Sequence, residues 1–435
     1  MLELNLRNCH EFLLDCTTKG MPATDERVRL ADIGRMKWNL LREDLTLPAA
    51  VLRQDSITRN RQWMRSFLDS QKISIAPHGK TTMSPQLFDL QVQDGCWGLT
   101  AATANQVAIF RKFGVQRILL ANQLVGRKNI ELVLSELAKD LDCEIYVLID
   151  SVEGLDALVS AAIAHKVQGR LNLLVEMGAV GGRTGVRSVD QGLALARRAN
   201  QASSVVNFCG IETYESVFPE LNSDQRDNAV QAIIEDTVTL AEACLQEKLF
   251  SPGPILLTAG GTQFFDIAVR NMNASPDSGR FLRLIRSGCY LTHDDLAYAR
   301  WFQEMKARSQ DIMCASPDPE AALEVWAYVQ SVPEPDLAIL TAGKRDISFD
   351  FELPVAKWHF RPGKDRIPTP IGGGAEIFRL NDQHAFARLS ADQNWTVGDM
   401  IGLGVAHVCT TFDKWDVIPV IDNDYNVVSA IKTYF

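Results

Sequence analysis

The sequence predicts a (β/α)8 barrel followed by a mainly-β domain. Three observations point there. Eight short β-rich runs alternate with longer amphipathic stretches between residues 72 and 285. Past about residue 310 the texture changes to short apolar runs punctuated by proline and glycine. A chain of 435 residues also exceeds what one ordinary core fills, so a large barrel plus a second unit is the natural division.

Taken in order, residues 1–50 read as polar and helical, with a turn at Gly20-Met21-Pro22. Helix is expected again over 57–68, where Trp63, Met64, Phe67 and Leu68 recur at helical spacing. The strand candidates are 72–76, 96–100, 117–121, 144–149, 171–176, 205–212, 254–258 and 281–285. Helical stretches such as 106–113, 129–141, 154–165, 192–200 and 224–249 lie between them. Strand, helix, strand repeated in this way demands a parallel sheet, and eight units is the count that closes a barrel. An open doubly wound sheet is the alternative. The Gly-x-Gly-x-x-Gly turn expected after its first strand is absent, and Lys80 stands there instead. After 310, prolines from Pro317 to Pro370 and the run Gly372-Gly373-Gly374 break up short β-type segments. The expected division is a segment 1–50 packing with the C-terminal domain, a barrel over 51–305, and a β-rich domain over 306–435.

Composition narrows the function. Net charge is -10, which repels polyanions, so nucleic acid is not an expected partner. No apolar run reaches the roughly 18 residues that span a bilayer, and Met1-Leu2-Glu3-Leu4-Asn5 does not open a secretory signal. Nine scattered cysteines without a C-x-x-C pair suit reduced thiols and a cytoplasmic setting.

The chemistry centres on Ala76-Pro77-His78-Gly79-Lys80-Thr81, where a short β run delivers a lysine to a turn; Ser84-Pro85 then opens a helix. A solvated surface lysine is the ordinary reading of any one such residue. In a barrel, however, working residues sit at the C-terminal ends of strands. Gly260-Gly261-Thr262 and Gly288-Cys289-Tyr290 follow the seventh and eighth strands, where such barrels hold a phosphate on backbone amides. Either glycine motif alone is equally a tight turn. A strand-end lysine together with a phosphate cradle, without a P-loop, points to pyridoxal 5'-phosphate (PLP). Far along the chain, His407 and Cys409 would share one face of a strand, and imidazole with thiolate is a zinc-type pair. Two buried, inert side chains are the commoner meaning of H-x-C. Two ligands also fall short of a closed structural site, which leaves positions for water or substrate.

Together, Pro77-His78-Gly79-Lys80-Thr81, Arg183-Thr184-Gly185-Val186, Gly260-Gly261-Thr262, Gly288-Cys289-Tyr290 and His407-Val408-Cys409 resemble the fold-type III PLP enzymes. Within them the likeness is to the D-serine dehydratase/D-threonine aldolase-like group, including its bacterial amino acid deaminase members. The resemblance implies an alanine-racemase-type barrel with a β domain, paired as a homodimer. It implies Lys80 as the Schiff-base lysine, and Gly260, Gly261, Thr262, Gly288 and Tyr290 as the phosphate cradle. Arg183 and Tyr214 would lie by the cofactor ring, and His407 and Cys409 would hold zinc, manganese or another divalent metal. His384 falls where the group also carries a histidine. The loop 178–183 is longer than the group's pattern, and Ser216 stands where it has glycine.

The implied activity is loss of water and ammonia from β-hydroxy D-amino acids such as D-serine or D-threonine. A metal-dependent D-threonine aldolase is the nearest competitor. Aldolases of the group usually carry aspartate where Cys409 stands, and the softer thiolate favours zinc over manganese, which tips the reading toward the dehydratase. A racemase would need a second base that the sequence does not reveal, and a non-catalytic PLP-binding protein would lack the β domain.

Overall fold

The computed structural model describes residues 4–22, 26–218 and 221–435. Met1, Leu2 and Glu3, part of the N-terminal stretch considered above, lie outside them.

The eight expected strands all form, as Ser74–Ile75, Leu99–Ala101, Arg117–Gln123, Glu144–Ile149, Leu171–Met177, Val206–Thr213, Ile255–Thr258 and Phe281–Ile285. They pair in sequence from the second to the eighth, and the eighth pairs in parallel with the first, Ile285 opposite Ile75. The first and second meet through the His78–Thr100 bridge and the bonds Trp97 N–H to Ile75 O and Thr100 N–H to Pro77 O, at 2.8 and 2.9 Å. The sheet therefore closes on itself. Helices such as Ala104–Lys112, Arg127–Lys139, Val152–Ala164 and Val189–Gln201 fill the connections.

Strand alternation divides the apolar residues between two surfaces. Leu119, Tyr146, Leu148, Leu174, Cys209, Leu256 and Leu284 form one cluster among themselves. Their neighbours Ile118, Leu120, Ile145, Val147 and Val175 pack with the surrounding helices. Period-2 runs that are apolar on both faces are what a parallel sheet covered by helices requires.

The second sheet is antiparallel around the long strand Leu323–Glu334, which pairs with Met400–Gly404, Leu337–Leu340 and Ala49–Arg53. The last of these also pairs in parallel with Val417–Ile421, so residues 49–53 sit inside this sheet and are hydrogen-bonded on both edges. The helical expectation for residues 1–50 is corrected. Apart from the turn Arg7–His10, the 3-10 segment Leu30–Arg35 and the start of the strand Ala49–Arg53, the described part is loops and two-residue strands. Cys9, Leu14, Met21, Leu30, Ile33, Leu40 and Leu45 are buried against Val51, Trp326, Val417 and Val427. The apolar residues are spaced to meet the second sheet, not to stripe a helix, and Gly20, Gly34 and Pro48 interrupt them. Gly34 has a packing reason, since a Cβ there would fall 2.3 Å from Val428 O.

Among the described residues, no helix is long and apolar enough to cross a membrane.

Candidate active site

The turn Gly79–Thr81 follows the first barrel strand and carries Lys80. The helix after it begins at Pro85 as expected, although Ser84 Oγ bonds Gln86 and not a backbone amide. Gly288, after the eighth strand, allows the two loops to touch. A Cβ on it would lie 2.5 Å from His78 O and 2.7 Å from Thr81 Oγ1.

Lys80 opens into a cavity lined also by His78, Thr81, Tyr214, Gly261, Thr262, Arg286, Gly288, Cys289, Asp294, His407 and Cys409. A smaller recess joins Lys80 to Arg183, Glu212, Tyr214 and Arg286. Barrel and β sheet thus contribute to one site, and most of the residues expected there do converge. A larger cavity of about 620 Å³ lies between Leu30, Arg61, Leu87 and Val428, and none of the expected site residues lines it.

Three expected residues stand apart. Tyr290 is buried and its hydroxyl bonds Gln91, away from the cavity. Gly260 adopts a positive φ of 84° behind the lining. The amides of Gly260 and Gly261 donate to the Glu215 carboxylate at 3.0 and 2.7 Å. Glu215 therefore occupies the amide face of this glycine turn. His384 lies just before the strand Ala385–Leu389, where its carbonyl accepts from Asn381 N–H, and it lines neither cavity.

The floor is charged and fixed. Arg286 pairs with Glu212 at 2.6 Å and donates to Thr258 Oγ1 and Thr213 O at 2.8 and 2.9 Å. Burial pushes the Glu212 carboxyl up to about 8, against the opposing pull of Arg286. Arg183 lies over the Tyr214 ring, 4.5 Å from its centroid. His78 is held well below the ordinary imidazole range by burial first, then by the charges of Lys80 and Arg286. It is a neutral ring at physiological pH.

The expectation of His407 and Cys409 on one strand is corrected. The strand ends at Gly404, His407 lies in the following loop, and Cys409 begins the helical turn Cys409–Phe412. Both nevertheless face the cavity, because the turn folds back over it. His407 Nδ1 bonds Asp350 at 2.6 Å, and its ring stacks on Phe351 with centroids 4.2 Å apart. Burial would lower the His407 pKa, but Cys409 and Asp350 outweigh it and hold it at about 9. The hydrogen bond from Cys289, then His407, holds the Cys409 thiol well below its usual range despite burial. Imidazolium beside thiolate is a donor pair in which a divalent cation can replace the shared proton. Among the described residues no three His, Cys, Asp or Glu side chains are arranged to hold a metal as they stand.

Sequence reasoning passed over Arg286, Glu212, Glu215 and Cys289. Cys289 stands inside the quoted Gly288-Cys289-Tyr290, Arg286 two residues before it, and Glu215 follows Tyr214, so position was the available signal.

A family model described as "Putative serine dehydratase domain" matches residues 322–421. The chain is 25% identical over 378 residues to a D-threonine aldolase of Arthrobacter sp, covering 86% of this chain and 88% of that one. It is 26% identical over 249 residues to a D-threo-3-hydroxyaspartate dehydratase of Delftia sp. strain HT23, covering 52% and 63%. The crystal structure of D-threonine aldolase from Filomicrobium marinum superposes with a TM-score of 0.73 at 22% identity, covering 91% and 97%.

Over most of its length the chain is similar to D-threonine aldolases and a D-threo-3-hydroxyaspartate dehydratase, and its C-terminal part matches a serine dehydratase domain. Its fold is the alanine-racemase type. Both an aldolase and a dehydratase appear among these relatives.

Proposed function

We propose that this protein is a PLP- and zinc-dependent ammonia-lyase that converts β-hydroxy D-amino acids, of the D-serine or D-threonine kind, to a 2-oxo acid and ammonia. One observation carries the reading: Lys80 from the barrel and His407 and Cys409 from the loop and turn after Met400–Gly404 line the same cavity. A small substrate there meets an amine on one side and a hydroxyl-binding pair on the other.

The residues present suit PLP. Lys80 is open to the cavity, while His78 Nδ1 and Glu212 Oε2 are buried beside it without partners. Lys80 would carry the cofactor through its amine, and Thr262 with the backbone amides of Gly288 and Cys289 would hold its phosphate. Bound there, PLP supplies an electron sink for charge developing at the substrate Cα. A zinc ion on His407 and Cys409 would supply a Lewis acid for the β-hydroxyl.

The chain's own part follows from its charges. Lys80, once its amine is free, is the base that takes the Cα proton. Arg183 and Arg286 give positive charge on the recess side, where a substrate carboxylate or the cofactor's own anion can settle. Asp350 fixes the His407 ring through Nδ1 and so leaves Nε2 for the metal. Phe351 covers the other face of that ring and keeps water from it.

Aldol cleavage to glycine and an aldehyde is the second reading, favoured by the relatives named aldolases. The two separate on products. With D-serine, D-threonine and D-threo-3-hydroxyaspartate as substrates, ammonia and 2-oxo acid should form in equal amounts. Accumulation of glycine without 2-oxo acid transfers the assignment to the aldolase.

A Lys80→Ala variant should lose turnover and the visible absorbance of lysine-bound PLP. If that band survives, another group holds the cofactor. We further propose a homodimer, to be checked by light scattering on the holoenzyme.

A further inference from the structure

Cys289 has no part in the mechanism above beyond its backbone, yet its side chain faces the same cavity. Its sulfur lies 3.8 Å from Cys409 Sγ, and both sulfurs contact Thr81 Oγ1, at 3.9 and 3.5 Å. Cys289 comes from the loop after the last barrel strand, whereas Cys409 comes from the turn after Met400–Gly404. The fold therefore brings two sulfurs together from residues 120 apart in sequence, against the hydroxyl next to Lys80.

The separation has a chemical meaning. Both cysteines are free, and a disulfide would need about 2.05 Å. Two thiolates on one tetrahedral zinc, each at about 2.3 Å and subtending about 109°, lie about 3.8 Å apart. Two thiols in plain contact would sit at a similar distance. What distinguishes this pair is the imidazole of His407, which lines the same cavity. Catalytic zinc sites use three protein ligands and keep one position open. His407 and Cys409 make two.

We propose that Cys289 is the third protein ligand, so that the metal sits on Cys289, Cys409 and His407 with its fourth position open to the substrate hydroxyl. The inference rests on the metal site proposed above and adds a donor to it. As they stand the three are not arranged to hold a metal, and a bound cation would have to draw the two sulfurs toward the ring that Asp350 holds. Two thiolates neutralise a divalent cation and select the softer zinc or cadmium over manganese or magnesium. Because one sulfur belongs to the barrel and the other to the β sheet, the ion also ties the two together.

The test loads cobalt(II) into the reduced, PLP-bound enzyme and compares it with Cys289→Ala, Cys289→Ser and Cys409→Ala. The near-ultraviolet sulfur-to-cobalt band should fall to about half in each variant, as two sulfurs become one. Metal affinity, measured by competition with a chromophoric chelator, should fall at least about 100-fold, beyond the 10–100-fold typical of losing an outer partner. The PLP absorbance should persist and report an intact fold. Cys289→Ser keeps the volume, so the same loss in it assigns the effect to sulfur. A full band and unchanged affinity in both Cys289 variants, with loss only in Cys409→Ala, overturns the role of Cys289 and leaves the two-ligand site standing. Failure of the parent enzyme to take up cobalt overturns both.

Discussion

At the scale of single residues, the ion pair of Glu212 and Arg286 holds the floor of the site. Both side chains are almost completely buried, at 1% and 4% exposure, so each polar group depends on the other for its solvation, and burial that pushes the Glu212 carboxyl up to about 8 favours its neutral form once Arg286 is gone. Removing one partner leaves a buried polar group unsatisfied and costs about 1–3 kcal/mol. An Arg286→Met variant should therefore unfold at distinctly lower denaturant, and the double variant with Glu212→Gln should recover most of the loss. If the single variant is as stable as the parent, the pair contributes specificity and not stability. Neither partner could be picked out from the sequence. A strand-end arginine looks the same whether it meets water or a carboxylate, and only the closing of the barrel puts strands six and eight close enough to pair them.

At the scale of elements, Asp399 pins the second sheet. It accepts from His359 Nε2 at 2.8 Å, from Arg361 Nε and Nη2 at 2.7 and 2.8 Å, and from Thr396 N–H at 2.8 Å. Burial would raise its pKa, but the bonds from Arg361 and His359 prevail and bring it from 3.8 to about 2. A carboxyl depressed in the folded state stabilises above its unfolded pKa. Here that contribution is full above about pH 5 and disappears as pH falls toward 2. The shift corresponds to about 2 kcal/mol. Asp399→Asn should lower stability at pH 7 by an amount that shrinks toward zero near pH 2, followed by denaturant titration at each pH. The barrel strands were readable because each is a short apolar run between turn residues, a local property. The loops before residue 50 were not, because what decides them is the distant surface they cover.

At the scale of the whole molecule, the strand Ala49–Arg53 joins the chain's beginning to its end. It lies between Leu323–Glu334 and Val417–Ile421, with Val51 and Leu52 fully buried. Removing residues 1–53 would bare two strand edges and one side of an apolar cluster, both of which invite aggregation. Such a chain should be insoluble or lose cooperative unfolding, as judged by size exclusion and circular dichroism. A soluble fragment that still binds PLP would show that the barrel stands without this strand.

The sequence by itself determined the barrel, its strand count and the lysine at its mouth. Periodicity, turn residues and strand-end position are local, so they survive without coordinates. It also named His407 and Cys409, though on the wrong element. Only the tertiary structure decided that these two reach Lys80, that Tyr290 turns away, that Glu215 takes the amides of Gly260 and Gly261, and that Cys289 meets Cys409. Each of these depends on how loops from distant parts of the chain pack over one cavity. Such packing is fixed by burial and pairing across hundreds of residues, which no local pattern records.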